Sequence, residues 1–260
     1  MRLLFIRHGD PDYENDTLTE KGHKEAKLLA EYLKNEKIDA VYVSPLGRAQ
    51  DTAAYSLKAL NMTGETMDWL QEFPGFVDPN TNADVREAYA TALIQNEETG
   101  AYKQRIMWDV LPSYYGTHPE LFDAKEWRNA AILQGTDVLK TYDNVIENFD
   151  KLLASYGYEK DSCAFRVSEN NEKTIAFFCH YGITSVLLSH LWNISPFVNL
   201  QFTALAPTSV TEVVSEERQK GIATFRTLRA GDVSHLALGK EEPSFSARFC
   251  EVYENMDQRH

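Results

Sequence analysis

Two histidines and two arginines carry the most pointed chemistry in this chain. Arg7-His8-Gly9 closes one short apolar run, Leu3-Leu4-Phe5-Ile6, and His180-Tyr181-Gly182 closes another, Thr174-Ile175-Ala176-Phe177-Phe178-Cys179. Each run has the form of a strand buried on both faces, with a turn signal at its end. In open α/β sheets ligands bind beyond the carboxyl ends of the strands, so the two imidazoles can converge although they come from opposite ends of the chain. Arg7 and Arg48 can join them. Guanidiniums, imidazoles and a helix N-terminus all offer N–H donors and positive potential, a combination that suits phosphoryl oxygens best.

Each residue also has an ordinary reading. An Arg-His-Gly triplet alone signals a surface histidine, Arg48 alone a solvated helix residue or an ion-pair partner of Asp51, and Glu72 alone an exposed loop carboxylate. The second His-x-Gly at a strand end and the spaced Arg48 motif turn the balance toward one phosphate site. His23, His118, His190, His235 and His260 show no paired spacing and receive no role.

The elements that must position these groups follow from the apolar pattern. Leu3 to Ile6 is the first strand; Ala26, Leu29, Ala30 and Leu33 then recur at helical spacing behind Thr19 as N-cap. Ala40 to Val43 reads as a second buried strand, with Ser44-Pro45 as cap and first-turn proline of the next helix, and Arg48 in or near its first turn. A third strand around Thr66 to Leu70 precedes Glu72, completing a strand-helix alternation typical of a doubly wound sheet.

The segment 74–128 breaks this rhythm. It is rich in aromatics, among them Tyr89, Trp108, Tyr114 and Trp127, and reads as a largely helical inserted cap whose rings form its own core more readily than a substrate platform. A long helix over about 134–156 leads back to the Thr174–Cys179 strand, after which Gly182 and Thr184 open an apolar helix through Val186, Leu187, Leu188 and Leu191. Val210 to Val214 and Ala223 to Leu228 form an antiparallel pair about Gly221, and the acidic stretch Glu169 to Glu172 reads as a turn. The expectation is a single α/β domain over 1–260, a three-layer α/β/α sandwich with a mostly parallel sheet and the cap inserted at 74–128.

Composition sets the bounds. With 260 residues, 43% hydrophobic and 25% charged, the chain can bury a sizeable core and is not of disordered or collagen-like type. A formal net charge of −13 repels nucleic-acid backbones and anionic membranes, so neither is expected as a partner. Three cysteines, Cys163, Cys179 and Cys250, without a CxxC support neither a disulfide framework nor a cysteine-rich metal site. The apolar start is far too short for a signal peptide or a membrane span, and the expected location is cytoplasmic. GxGxxG, GxxxxGK[ST] and GxSxG patterns are absent, and no organic cofactor is implied.

Taken together, Arg7-His8-Gly9, Leu18-Thr19-Glu20-Lys21-Gly22, Ser44-Pro45-Leu46-Gly47-Arg48-Ala49-Gln50-Asp51-Thr52-Ala53, Glu72 and His180-Tyr181-Gly182 resemble the histidine phosphatase superfamily in its phosphoglycerate-mutase-like branch. The resemblance spans about 1–72 and 174–236, where Gly231-Asp232-Val233-Ser234-His235-Leu236 is similar to the family's closing motif, and leaves the middle uncovered. It implies that His8 is the nucleophile, that Arg7, Arg48 and His180 hold the non-bridging oxygens, and that Glu72 is the acid/base carboxyl, with no metal. A nucleophilic His8 must be neutral on its attacking nitrogen, so the other ring nitrogen needs an acceptor, for which a carbonyl in the turn at Gly9 is the candidate. Two departures stand out. Asp10-Pro11 replaces the family's usual pair after Gly9, leaving Asn15 as a phosphate contact only if the loop is shifted, and Tyr181 occupies the place where acid-phosphatase relatives carry an aspartate, which favours Glu72.

The implied function is a phosphomonoester hydrolase working through phosphohistidine on a small phosphorylated substrate. A phosphoglycerate-mutase-type transfer would use the same residues, but Phe73-Pro74-Gly75 lacks the basic residue and tyrosine that would grip a mutase substrate. A metallohydrolase built on His8, Asp10, Asp12 and His180 is a further alternative, opposed by the neighbouring arginines. A non-catalytic phosphoester sensor is the last, opposed by the intact set of five residues. The substrate itself and the oligomeric state are not legible.

Overall fold

The computed structural model describes residues 1–169, 171–244, 250–252 and 254–259. Asn170, in the acidic stretch read as a turn, and His260 lie outside the described residues, as does the side chain of Cys250. The chain divides into two compact units, one made of Met1–Glu72, Leu152–Thr184 and Ala204–His260, the other of Phe73–Lys151 and Ser185–Thr203. The second unit therefore takes in more than the segment 74–128 read as an insertion.

The first unit is built on an eight-stranded sheet, numbered in chain order: β1 (Arg2–Arg7), β2 (Ala40–Val43), β3 (Glu65–Thr66), β4 (Tyr158–Asp161), β5 (Ala164–Val167), β6 (Thr174–Cys179), β7 (Val210–Gln219) and β8 (Ile222–Asp232). Their spatial order is β3-β2-β6-β1-β7-β8-β5-β4. The four strands from β3 to β1 run parallel, and the four pairings from β1 through β7, β8 and β5 to β4 are antiparallel. The α/β class holds, with a mixed sheet rather than a mostly parallel one. The Val210–Gln219 and Ile222–Asp232 pair about Gly221 is where it was expected; β4 and β5 extend it, and their alternating, partly exposed residues lack the apolar run that makes the parallel strands legible.

The parallel half explains its own sequence. Leu4 and Ile6 of β1 pack with Val41, Val43, Ala176, Phe178 and Val210 on one face, under Leu29 and Leu33 of the helix Glu20–Leu33 and Ala53 of the helix Gly47–Leu60. The alternate residues stack on the other face, Phe5 on Phe177 at 5.1 Å between ring centroids and Tyr42 on Phe177 at 5.7 Å. With both faces covered, every position must be apolar.

Thr19 caps the first helix as expected, accepting the Gly22 amide. Ser44 does not cap the second: Leu46 holds that position, and the Ser44 hydroxyl accepts the Leu46 amide from outside the helix. The third strand is cut to Glu65–Thr66, and Asp68–Leu70 is a 3₁₀ turn.

In the second unit Tyr89, Tyr114 and Trp127 are buried while Phe76 and Phe202 are exposed, and Trp127 meets Tyr142 edge-on at 4.9 Å and Phe197 at 6.4 Å. Within the segment 74–128 the α-helices are short, Ala83–Ala88 and Pro112–Tyr115, among several 3₁₀ turns and a small pairing of Phe76–Val77 with Arg105–Ile106. No helix among the described residues is long and apolar enough to cross a membrane.

Candidate active site

Register decides the geometry of the site. β1 and β6 are adjacent and parallel, with Arg7 opposite Cys179, so the residue following each strand emerges at the same level. Those residues are His8 and His180, whose ring centroids lie 5.1 Å apart. On the other side of β6, Val43 pairs with Phe178, which brings Ser44 up beside His180. Both histidines are buried, at 2% and 0% exposure.

His8 has a fixed tautomer. Its Nδ1 lies 2.7 Å from the Gly9 carbonyl oxygen. A carbonyl only accepts, so Nδ1 carries the proton and Nε2 keeps its lone pair. The expected acceptor in the Gly9 turn is therefore in place. Burial, then the Arg7 guanidinium and more weakly that of Arg48, push the His8 imidazole down to about 3 against the opposing Gly9 hydrogen bond. Burial first, then His8, Arg48 and Arg7, hold His180 well below the usual histidine range. Both rings are neutral near pH 7 in the free protein.

The two guanidiniums are anchored by one end each. Arg7 donates from Nη1 to the Leu205 carbonyl and stands 5.9 Å from the Tyr181 ring centroid. Arg48 donates from Nη1 to Asp16 at 2.6 Å, and Asp16 is held below its ordinary carboxylate range, its burial outweighed by hydrogen bonds from the Gly47 amide and Arg48. Arg48 thus pairs with Asp16; Asp51, the partner its sequence neighbourhood suggested, instead accepts a hydrogen bond from Thr17. Among the described residues, Arg7 Nε, Arg48 Nε and His180 Nδ1 are buried without a hydrogen-bond partner. Buried donors are almost always paired, so three in one cluster mark a place for an acceptor with several oxygens.

Glu72 meets the site through the helix Tyr181–Trp192, which begins directly after His180. Its Oε1 accepts the Ile183 amide at 3.1 Å, in the helix's first turn. The structure thus brings Glu72 to the segment that carries His180. Asn15 is placed differently: it is exposed, and its side-chain amide donates to Asp12 at 2.8 Å. Asp10 and Asp12, the carboxylates of the metal alternative, accept from Thr19 and Ser244 and from Asn15 respectively.

Four residues have supporting roles at the site that the sequence reading did not assign. Thr52, one helical turn beyond Arg48, accepts the Gly9 amide at 2.9 Å and donates to the Arg48 carbonyl at 2.7 Å, tying both halves of the site together. Asp16 adopts φ of 48°, a left-handed turn that Asp and Asn tolerate, and its place after Asn15 was the available signal. Thr208 has φ of 59°, and its amide donates to the carbonyls of both Arg7 and His8; its hydroxyl lies 2.9 Å from Nε2 of His235, a residue left without a role. Ser44 is the fourth, 2.7 Å from His180 Nε2.

Comparison with known proteins bears on the family and the fold. Residues 3–105 match the family model "Histidine phosphatase superfamily (branch 1)". Phosphoserine phosphatase 1 of Hydrogenobacter thermophilus is 34% identical over 71 residues, and the alignment spans 24% of this chain and about a third, 34%, of that relative's length. Among solved structures, mycobacterial glucosyl-3-phosphoglycerate phosphatase in complex with inorganic phosphate has a TM-score of 0.57 at 18% identity, covering 90% of this chain and 98% of that one. Phosphoserine phosphatase from Entamoeba histolytica in complex with 3-phosphoglyceric acid gives 0.56 at 18% identity, over 90% and 98%. Alpha-ribazole phosphatase from Shigella flexneri gives 0.52 at 19% identity, over 90% and 97%. At these identities the structural likeness speaks for the fold. The resemblance read from the motifs is thus matched by a histidine phosphatase family model over residues 3–105, and the chain shares the fold of these solved phosphatases.

Proposed function

We propose that this protein hydrolyses small phosphomonoesters through a phosphohistidine formed on His8. The single observation that carries the reading is His8 itself, neutral, with Nδ1–H bonded to the Gly9 carbonyl and Nε2 left as a nucleophile beside His180. In the first step Nε2 attacks phosphorus, the bond to the ester oxygen breaks, and that oxygen takes a proton from Glu72. In the second, Glu72 removes a proton from water, which attacks phosphorus and frees His8 and phosphate. Arg7, Arg48 and His180 take the non-bridging oxygens, where preorganised donors offset charge at the transition state. No step calls on a metal.

Hydrolysis is preferred to mutase-type transfer because Phe73-Pro74-Gly75 lacks a substrate-gripping basic residue and because the relatives named above are phosphatases. The relatives' substrates, phosphoserine and a glucosylated phosphoglycerate by name, direct the choice of test compounds. Phosphate release from an aryl phosphate and from a panel of small metabolite phosphates should be measurable for the wild type without added metal and lost in His8→Ala. Equal release by His8→Ala and the wild type would remove the proposal.

A further inference from the structure

We infer that Ser44 is a positioning residue that sets the tautomer of His180, making its Nδ1 the donor to the phosphoryl group. The inference rests on the phosphatase reading for its purpose, but not for its geometry. Ser44 is fully buried, and its hydroxyl has two neighbours: the Leu46 amide at 3.2 Å and His180 Nε2 at 2.7 Å. The Leu46 N–H can only donate, so it takes a lone pair of the hydroxyl oxygen. Among the described residues the hydroxyl proton then has one hydrogen-bonding acceptor, Nε2. If Nε2 carried a proton instead, the Ser44 O–H would be buried without a partner, which is costly for a fully buried hydroxyl.

A neutral His180 that accepts at Nε2 must carry its proton on Nδ1. That is the ring nitrogen that is buried with no partner, in the same cluster as Arg7 Nε and Arg48 Nε. Burial and the surrounding positive groups favour the neutral ring, so a tautomer, rather than a charge, is what must be fixed. Opposite tautomer logic then governs the two histidines. His8 donates its Nδ1–H to a carbonyl and keeps the Nε2 lone pair free to attack, whereas His180 accepts the Ser44 hydroxyl at Nε2 and keeps Nδ1–H free to donate.

The experiment is ¹⁵N NMR of histidine-labelled free protein between pH 6 and 8, with His180 assigned by its loss in His180→Gln. The expected result is a protonated-type shift for Nδ1 and a pyridine-type shift for Nε2 of His180, moving toward the Nε2–H form in Ser44→Ala and restored in Ser44→Thr. Binding of inorganic phosphate should weaken about tenfold or more in Ser44→Ala, the scale of one hydrogen bond to a charged group. An Nε2–H tautomer in the wild type, or an unchanged tautomer in Ser44→Ala, overturns the inference. Should Ser44→Ala not fold, the wild-type spectrum alone decides. A protein that shows the expected tautomer but releases no phosphate from any ester would contradict the phosphatase reading and leave the Ser44–His180 link intact.

Discussion

At the scale of single residues, the division of labour between Glu72 and the basic groups is open to direct measurement. A carboxyl that protonates the leaving oxygen matters most when that oxygen is a poor leaving group. Glu72→Gln should therefore slow alkyl phosphates by about 10²–10⁴-fold and aryl phosphates far less; equal losses in kcat/KM for the two classes would take Glu72 out of the acid role. Arg48 holds Asp16 through one Nη1 bond while its Nε remains unpaired, a use of the planar fork that an ammonium cannot copy. Arg48→Lys, which keeps the charge, should still lower kcat/KM by about tenfold or more, and a kinetically silent Arg48→Lys would mean that bulk charge is all the site requires. His8, Arg7, Arg48 and His180 were legible because strand ends and a spaced motif announce them. Asp16, Thr52 and Thr208 were not, because each acts through a backbone group or a loop partner that no local pattern reveals.

Elements place these residues by register and by close backbone approach. The parallel β1-β6 pairing makes His8 and His180 neighbours, and the apolar runs before each histidine announced both strands. The antiparallel half was legible only at the β7-β8 hairpin, since β4 and β5 present half-exposed polar residues without an apolar run. The two-residue β3 is fully exposed, so the sheet edge gives it no apolar requirement to read. The Gly47 amide donates to Asp16 at 2.7 Å, and a Cβ at position 47 would collide with the Asp16 carbonyl oxygen. Gly47→Ala should thus shift the Asp16 turn that holds Arg48, lowering stability to urea by about 1–3 kcal/mol, the usual cost of overpacking, together with activity. An unchanged urea midpoint would show that this contact gives way freely.

Over the whole molecule, buried titratable groups set how stability follows pH. His8, His180 and His235 are all depressed from 6.5, chiefly by burial, His8 to about 3 and His235 to about 4. As pH falls below 6.5 the unfolded chain binds protons that the folded protein refuses, so these groups destabilise the fold on acidification through that window. Glu25, buried on the helix behind the His8 loop, has the opposite sign. Raised chiefly by burial from 4.5 to about 7, it is protonated in the folded state while ionised in the unfolded one, and weakens the fold as pH rises from 4.5 to 7. Three groups outnumber one, so unfolding free energy should climb from pH 4.5 to 6.5 and climb more steeply in Glu25→Gln; a decline over that range in denaturant titrations would contradict these assignments. In a chain of net charge −13, Arg7 and Arg48 lie beside two neutral imidazoles, and on the proposed reading this is where the anion binds. The most direct test is rapid alkaline quench of the wild type during turnover of a ³²P-labelled aryl phosphate, followed by peptide mapping. The account predicts an acid-labile, base-stable label on the peptide containing His8, absent from His8→Ala; label retained in His8→Ala, or turnover with no phosphoprotein at any quench time, would contradict it.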